Sequence, residues 1–346
     1  MRTVRSAGGR RRYDAFTRSL CARLSLQLAS IMPTFQARKK LLVGHREKLE
    51  FGLRELRRNA DVELHERVDL RAWTSLGVGG VAALVVRCHN DVSVAATLDL
   101  AASHGLGWLV LGSGSRIIAP DGGISVPVVS STGELARWKV DEDGIEAGAG
   151  ANLAQVCRAA RRTGLSGMES LGSGDHSVGG LIRAAIDGVV NVGDVIDWID
   201  LQAPGSGQQR WHASPDDPVP GRQLIRRKII TRIRFRLRPT SVARVQPRAV
   251  RTGRSRALRS TGPVFLDSQD ATAADLLAEA GCRNLAVGGV RIGGTRGNEL
   301  LAGRSATSAD VLDLCRRARE RVVAATGVEL VSAMVFVEED GLEFAL

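Results

Sequence analysis

Chemistry is most concentrated in the stretch Leu109-Val110-Leu111-Gly112-Ser113-Gly114-Ser115-Arg116-Ile117-Ile118. An apolar run of strand type breaks into Gly-x-Gly-Ser, and a second small-residue turn, Asp121-Gly122-Gly123, follows shortly after. Glycine tolerates positive φ and a close approach of backbone to a ligand, so successive N–H groups here can converge on an anion such as a pyrophosphate. The common dinucleotide fingerprint needs a third glycine opening a helix. Ile117 and Ile118 follow instead, so the loop reads as running into extended chain. Taken alone, a tight turn between two strands explains the same residues.

The neighbours narrow the choice. Thr74-Ser75-Leu76-Gly77-Val78-Gly79-Gly80-Val81-Ala82 lies upstream. Downstream come Ala147-Gly148-Ala149-Gly150-Ala151, then Gly164-Leu165-Ser166-Gly167-Met168-Glu169, then Ser177-Val178-Gly179-Gly180. In this order and spacing they resemble the MurB family, the UDP-N-acetylenolpyruvoylglucosamine reductases of cell-wall precursor synthesis. The resemblance continues through Ile229–Leu237, Leu276–Gly281, Val287-Gly288-Gly289 and Ala324–Leu330, covering roughly residues 62 to 337. It implies an α+β fold: a two-lobed FAD-binding domain of the vanillyl-alcohol-oxidase-like (PCMH) type over 61–238, then a smaller MurB-like C-terminal α+β domain over 239–346. It also implies FAD as cofactor, NADPH as reductant and a UDP-sugar or other small-molecule substrate. Gly112, Ser113, Gly114, Ser115 and Arg116 then belong to the pyrophosphate loop, and Gly148, Gly150, Ser177, Gly179 and Gly180 to the remaining cofactor-binding turns.

The family reaction, as the resemblance implies it, passes hydride from NADPH to FAD and from flavin N5 to C3 of an enolpyruvyl group. The carbanion or enol developing at C2 is then protonated. Such a reaction needs an aimed proton donor and an electrophilic clamp on the substrate carboxylate. Against the family segment S-A-G-S-x-F-K-N-P, this chain reads Ser260-Thr261-Gly262-Pro263-Val264-Phe265-Leu266-Asp267-Ser268 and puts Pro263 where the donor belongs. Proline carries neither a side-chain proton nor an N–H. Leu330-Val331-Ser332-Ala333-Met334 puts Ala333 where the family has a glutamate, while Pro220-Gly221-Arg222 retains Arg222 beside a glycine in place of a tyrosine. The flavin-side turn M-N-A-G-A-Y-G is matched by Ala184-Ala185-Ile186-Asp187-Gly188-Val189-Val190, Arg116 replaces an asparagine, and Gly174-Asp175-His176 replaces I-P-G. A missing donor lowers a rate by about 10²–10⁴-fold, and a missing clamp by about 10²–10³-fold. Ser260 or Thr261 is the nearest substitute donor. Three readings stay open: a MurB-type reductase, a flavoenzyme of the same fold redirected to another substrate, and a non-catalytic binding or regulatory relative.

Composition bounds these readings. A chain of 346 residues with 44% hydrophobic and 25% charged content suits two or three soluble domains. Aromatics make up only 4%, with Tyr13 the single tyrosine, which argues against a base-stacking nucleic-acid surface. No apolar run approaches the roughly 18 residues that cross a bilayer. The five cysteines are isolated, as are the six histidines, so no metal site is expected and a reducing cytoplasm fits. A monomer is expected. The net charge of +11 resides mostly in residues 1–46, where eleven Arg or Lys face one acid, Asp14. That tail reads as a solvated arm, an Arg-rich transit segment, an electrostatic contact to nucleic acid or anionic membrane, or chain preceding a true start at Met32.

The elements that must position these residues read as follows. Residues 1–60 form a basic extension ending in a short helix over 47–58. Strands are expected at 81–87, 108–111, 195–202, 229–237, 285–292 and 333–338, and helices at 92–103, 151–163, 273–281 and 308–325. The Arg-rich span 239–260, without a single acid, reads as a domain connector.

Overall fold

The computed structural model describes residues 52–58, 60–171, 176–225, 227–240, 259–268, 270–294 and 297–344. The tail before residue 52 and most of the Arg-rich span (241–258) lie outside the described residues.

The first lobe is a four-stranded sheet in the order Val62–Asp69, Val81–Cys88, Val128–Ser131, Leu109–Val110. The first pair is antiparallel, and the other two pairs are parallel. The Val81–Cys88 strand is apolar almost throughout because it serves two cores. Leu84, Val86 and Cys88 join a core with Val94 and Leu98 of α1 (Asp91–Ser103), while Ala82 and Val85 join a second core with Leu70, Leu109 and Val337. A strand covered on both faces requires that continuous run. Asn90 and Ser93 form a capping box that starts α1. The helical segment 52–58 buries Leu53 and Leu56 in the same core. The core of this lobe therefore includes residues before 61, the boundary expected from sequence.

The second lobe is a five-stranded antiparallel sheet in the order Ser206–His212, Ile196–Ala203, Ile229–Arg236, Gly144–Gly148, Trp138–Asp141. Ile229–Arg236 alternates with period two. Ile229, Thr231, Ile233 and Phe235 point inward, while Arg232, Arg234 and Arg236 pair with Asp91, Asp141 and Asp197 on the other face. Three arginines of this strand are thus neutralised on one sheet face. Helices α2 (Leu153–Arg162) and α3 (Val178–Ile186) supply the apolar residues covering the buried face.

The C-terminal domain pairs Arg259–Pro263, Glu299–Ala302, Val290–Gly293 and Ala286–Val287 in that order, with α4 (Ala273–Glu279) and α5 (Ser308–Thr326) sharing its core. Two expectations change here. The stretch 285–292 is a hairpin broken at Gly288-Gly289, because Gly288 turns with φ +49°. Arg259 and Ser260, read as connector, open the first strand of this domain.

Two of the contacts between the domains involve the chain that follows the glycine loop. Val335–Val337 runs parallel to Ile117–Ile118, the strand that follows the glycine loop. The Asp121 carboxylate accepts the Ser308 and Ala309 N–H groups at 2.9 and 3.0 Å, capping α5 from the other domain. The Asp121-Gly122-Gly123 turn, read as a second small-residue turn beside the loop, therefore clasps a helix.

Candidate functional site

Gly112–Arg116 turns between the Leu109–Val110 and Ile117–Ile118 strands, with Gly114 at φ +65°. A Cβ on Gly114 would stand 2.0 Å from the Trp73 carbonyl oxygen, so glycine is required by packing as well as by conformation. None of the N–H groups of Gly112, Ser113, Gly114, Ser115 and Arg116 donates to an acceptor among the described residues. Consecutive donors left without a protein acceptor form the kind of nest that holds phosphate oxygens. Ser113 Oγ donates to Ser115 Oγ at 3.3 Å, and Ser115 Oγ lies 2.8 Å from His176 Nδ1. This anchors the loop to the segment just before α3.

The other glycine turns are closely packed. Cβ atoms at Gly148 and Gly150 would meet the Leu135 and Ser131 carbonyl oxygens at 2.2 Å, and one at Gly112 would meet Ser177 Oγ at 2.4 Å. Ser177 caps α3 by accepting the Gly180 N–H, while Val178 and Gly179 donate to the Ala151 and Ala149 carbonyls. Val178 and Gly179 thus fasten the start of α3 to residues 149–151, while Gly148 and Gly150 pack against residues 131–137.

Arg116 leads from the loop to a cluster of charges. Its guanidinium, 15% exposed, donates through Nε to the Ala333 carbonyl at 2.8 Å and through a terminal nitrogen to Asp187 Oδ2 at 3.2 Å. Burial pulls Arg116 below its ordinary pKa, and Asp187 opposes that pull. Asp187, 7% exposed at the C-cap of α3, also receives Arg183 at 3.0 Å and Arg222 at 3.1 Å. Arg183 pairs in addition with Glu343. Arg222 itself stands on the exposed helical turn Arg222–Ile225.

The positions singled out from sequence meet around this cluster. Ala333 is fully buried and donates its N–H to the Val264 carbonyl at 2.7 Å, next to Pro263. Arg116, Arg222, Pro263 and Ala333 are therefore brought to one region, with neither a protic side chain at 263 nor an acid at 333. The substitute donors are engaged elsewhere. Thr261 is buried, donating to the Gly262 carbonyl and accepting the Leu300 N–H. Ser260 Oγ lies 3.0 Å from the Thr261 carbonyl and 3.2 Å from Glu299. The sequence reading missed the role of Asp187, although an acid at the fourth position of the turn, where the family pattern has glycine, was the available signal. It also missed the bond between Ser115 and His176, for which nothing local speaks. Among the described residues no group of His, Cys, Asp and Glu is placed to hold a metal.

Comparison with known proteins shows the family and the fold. Residues 82–200 match an FAD binding domain, and residues 254–337 match the UDP-N-acetylenolpyruvoylglucosamine reductase C-terminal domain. The UDP-N-acetylenolpyruvoylglucosamine reductase of Acidiphilium cryptum is 32% identical over 274 residues, covering 76% of this chain and 88% of that protein. Its counterpart in Granulibacter bethesdensis is 31% identical, covering 75% and 86%. The crystal structure of the Thermus caldophilus reductase covers 80% of this chain and 99% of its own, with a TM-score of 0.63 at 24% identity.

Proposed function

The chain belongs to the UDP-N-acetylenolpyruvoylglucosamine reductase family, and on that premise we propose that it is a MurB-like, FAD-dependent protein of peptidoglycan-precursor type that keeps its flavin frame and has lost the family's route for protonating the enolpyruvyl carbon. The donor set fits the cofactor: the open N–H groups of Gly112, Ser113, Gly114, Ser115 and Arg116 would hold its pyrophosphate. Hydride transfer is the chemistry a flavin supplies in this fold, and NADPH is its proposed source.

One observation carries the loss. Ala333 donates its N–H to the Val264 carbonyl beside Pro263, so the two positions that the resemblance assigns to the proton donor and the carboxylate clamp lie together and carry neither group. Arg116 binds the Ala333 backbone carbonyl and Arg222 binds Asp187, so the arginines near the site hold protein groups. Thr261 has its hydroxyl engaged within its own sheet. A reaction that builds charge at a carbon must have a donor within hydrogen-bond reach, and these residues do not supply one. Cytoplasmic location is part of the proposal, supported by the free buried thiols Cys88, Cys157, Cys282 and Cys315. Among the described residues, no helix is long and apolar enough to cross a membrane.

The test is the absorption spectrum of the purified protein, followed by NADPH oxidation with UDP-N-acetylglucosamine enolpyruvate. Retained flavin without substrate-dependent oxidation is expected. Sustained turnover would overturn the lost-donor reading, and protein that neither retains nor takes up FAD would overturn the flavin half.

A further inference from the structure

Asp187 sits where elementary electrostatics disfavours an acid. It is the C-cap of α3, facing the negative end of the helix dipole, with its side chain only 7% exposed. Its compensation is the fan of Arg116, Arg183 and Arg222, all within 3.2 Å of its two oxygens. Arg222 meets one oxygen, while Arg116 and Arg183 share the other. The geometry is that of a carboxylate seated in an arginine receptor, with the carboxylate belonging to the protein. Counting Glu343 on Arg183, three cations face two anions, so Asp187 cuts the positive charge the cluster offers a further anion from two to one.

We propose that Asp187 is the specificity-determining residue of this site: its carboxylate occupies Arg116 and Arg222 from within, so the site accepts a substrate carrying a neutral carbonyl, ester or amide where a carboxylate would otherwise bind. The inference rests on the proposed placement of the substrate site beside Arg116, Arg222 and Ala333. It accounts for three arginines converging on one acid beside positions 263 and 333. Arg116 is held by Asp187 and the Ala333 carbonyl together, so it is fixed whether or not a ligand is present.

Pyruvate and methyl pyruvate, which differ by one charge, test this by calorimetric titration of the full chain. The natural protein should bind pyruvate no more tightly than its ester. Asp187→Asn keeps the shape and removes the charge, so it should bind pyruvate at least about tenfold more tightly than the natural protein, with the ester unchanged. Adding Arg222→Gln to that variant should abolish the gain, and Arg222 is exposed enough for this change to leave the fold intact. Should Asp187→Asn fail to fold, the charge-balanced pair Asp187→Asn with Arg183→Gln must show the same gain. A natural protein that already prefers pyruvate about tenfold, or a folded Asp187→Asn form without gain, overturns the proposal. Flavin retention is read separately, so colourless protein sinks the flavin reading and leaves the pyruvate comparison standing.

Discussion

Arg116 and Ala333, 217 residues apart in sequence, are joined by a 2.8 Å hydrogen bond from guanidinium Nε to carbonyl oxygen. The backbone repeats the link, since the Val335 N–H donates to the Arg116 carbonyl at 2.8 Å. The end of the Gly112–Arg116 loop is therefore held by the C-terminal domain, and loop geometry and domain docking are one structural variable.

Ser113→Asp should expel flavin while leaving the fold intact. Ser113 is only partly buried and its φ is not positive, so the new side chain brings charge without backbone strain. A carboxylate among the open N–H groups competes with pyrophosphate and repels it, weakening FAD at least about tenfold. Flavin fluorescence after dialysis reads the loss, and unchanged retention would rule the loop out. Gly114→Val is a poorer probe, because its Cβ would collide with the Trp73 carbonyl.

Restoring Pro263→Ser and Ala333→Glu together should produce measurable NADPH oxidation with the enolpyruvyl sugar, and either change alone should not. Groups that act as a unit are not additive in their kinetic effects. Ala333 has no exposed surface, so the glutamate should also lower stability by about 1–3 kcal/mol through overpacking. Activity from Pro263→Ser alone would show that the clamp is supplied by another residue.

Trimming the N-terminus separates tail from body. Removing residues 1–45 should leave the melting temperature within a few degrees. Removing residues 1–60 strips Leu53 and Leu56, 7% and 5% exposed, from the first core. At about 1.5–3 kcal/mol for each buried leucine, the second truncation should be strongly destabilised. Equal melting of the two forms would refute the docking of 52–58.

The thiols set an alkaline limit. Burial pushes Cys88 and Cys157 up from 9.0 to about 11, and Cys315 up to about 12. The thiolate is the reactive form, so native protein should resist iodoacetamide at these positions at pH 8, as peptide mapping would reveal. Because the folded values lie above the unfolded one, their contribution to stability is complete below about pH 9 and declines as pH rises toward 11–12. A denaturation midpoint that stays flat across that range would contradict these environments.

Much of this was legible along the chain because contiguous residues carry it. Alternation in Ile229–Arg236 marks a half-buried strand, the run in Val81–Cys88 marks one buried on both faces, and α5 is framed by its Thr307–Asp310 box and Gly327. The glycine loop and the family follow from residue identity, as does the proposal about Pro263, since a proline side chain cannot donate a proton in any fold. Partners were not legible. Asp121 read as part of a loose glycine turn and proves to cap a helix 187 residues away. Asp187 read as a degenerate turn residue and proves to bind three arginines, one of them 71 residues distant. A charge or an N–H declares only that it needs a partner, and which one it finds depends on the segments that tertiary packing brings within about 3 Å.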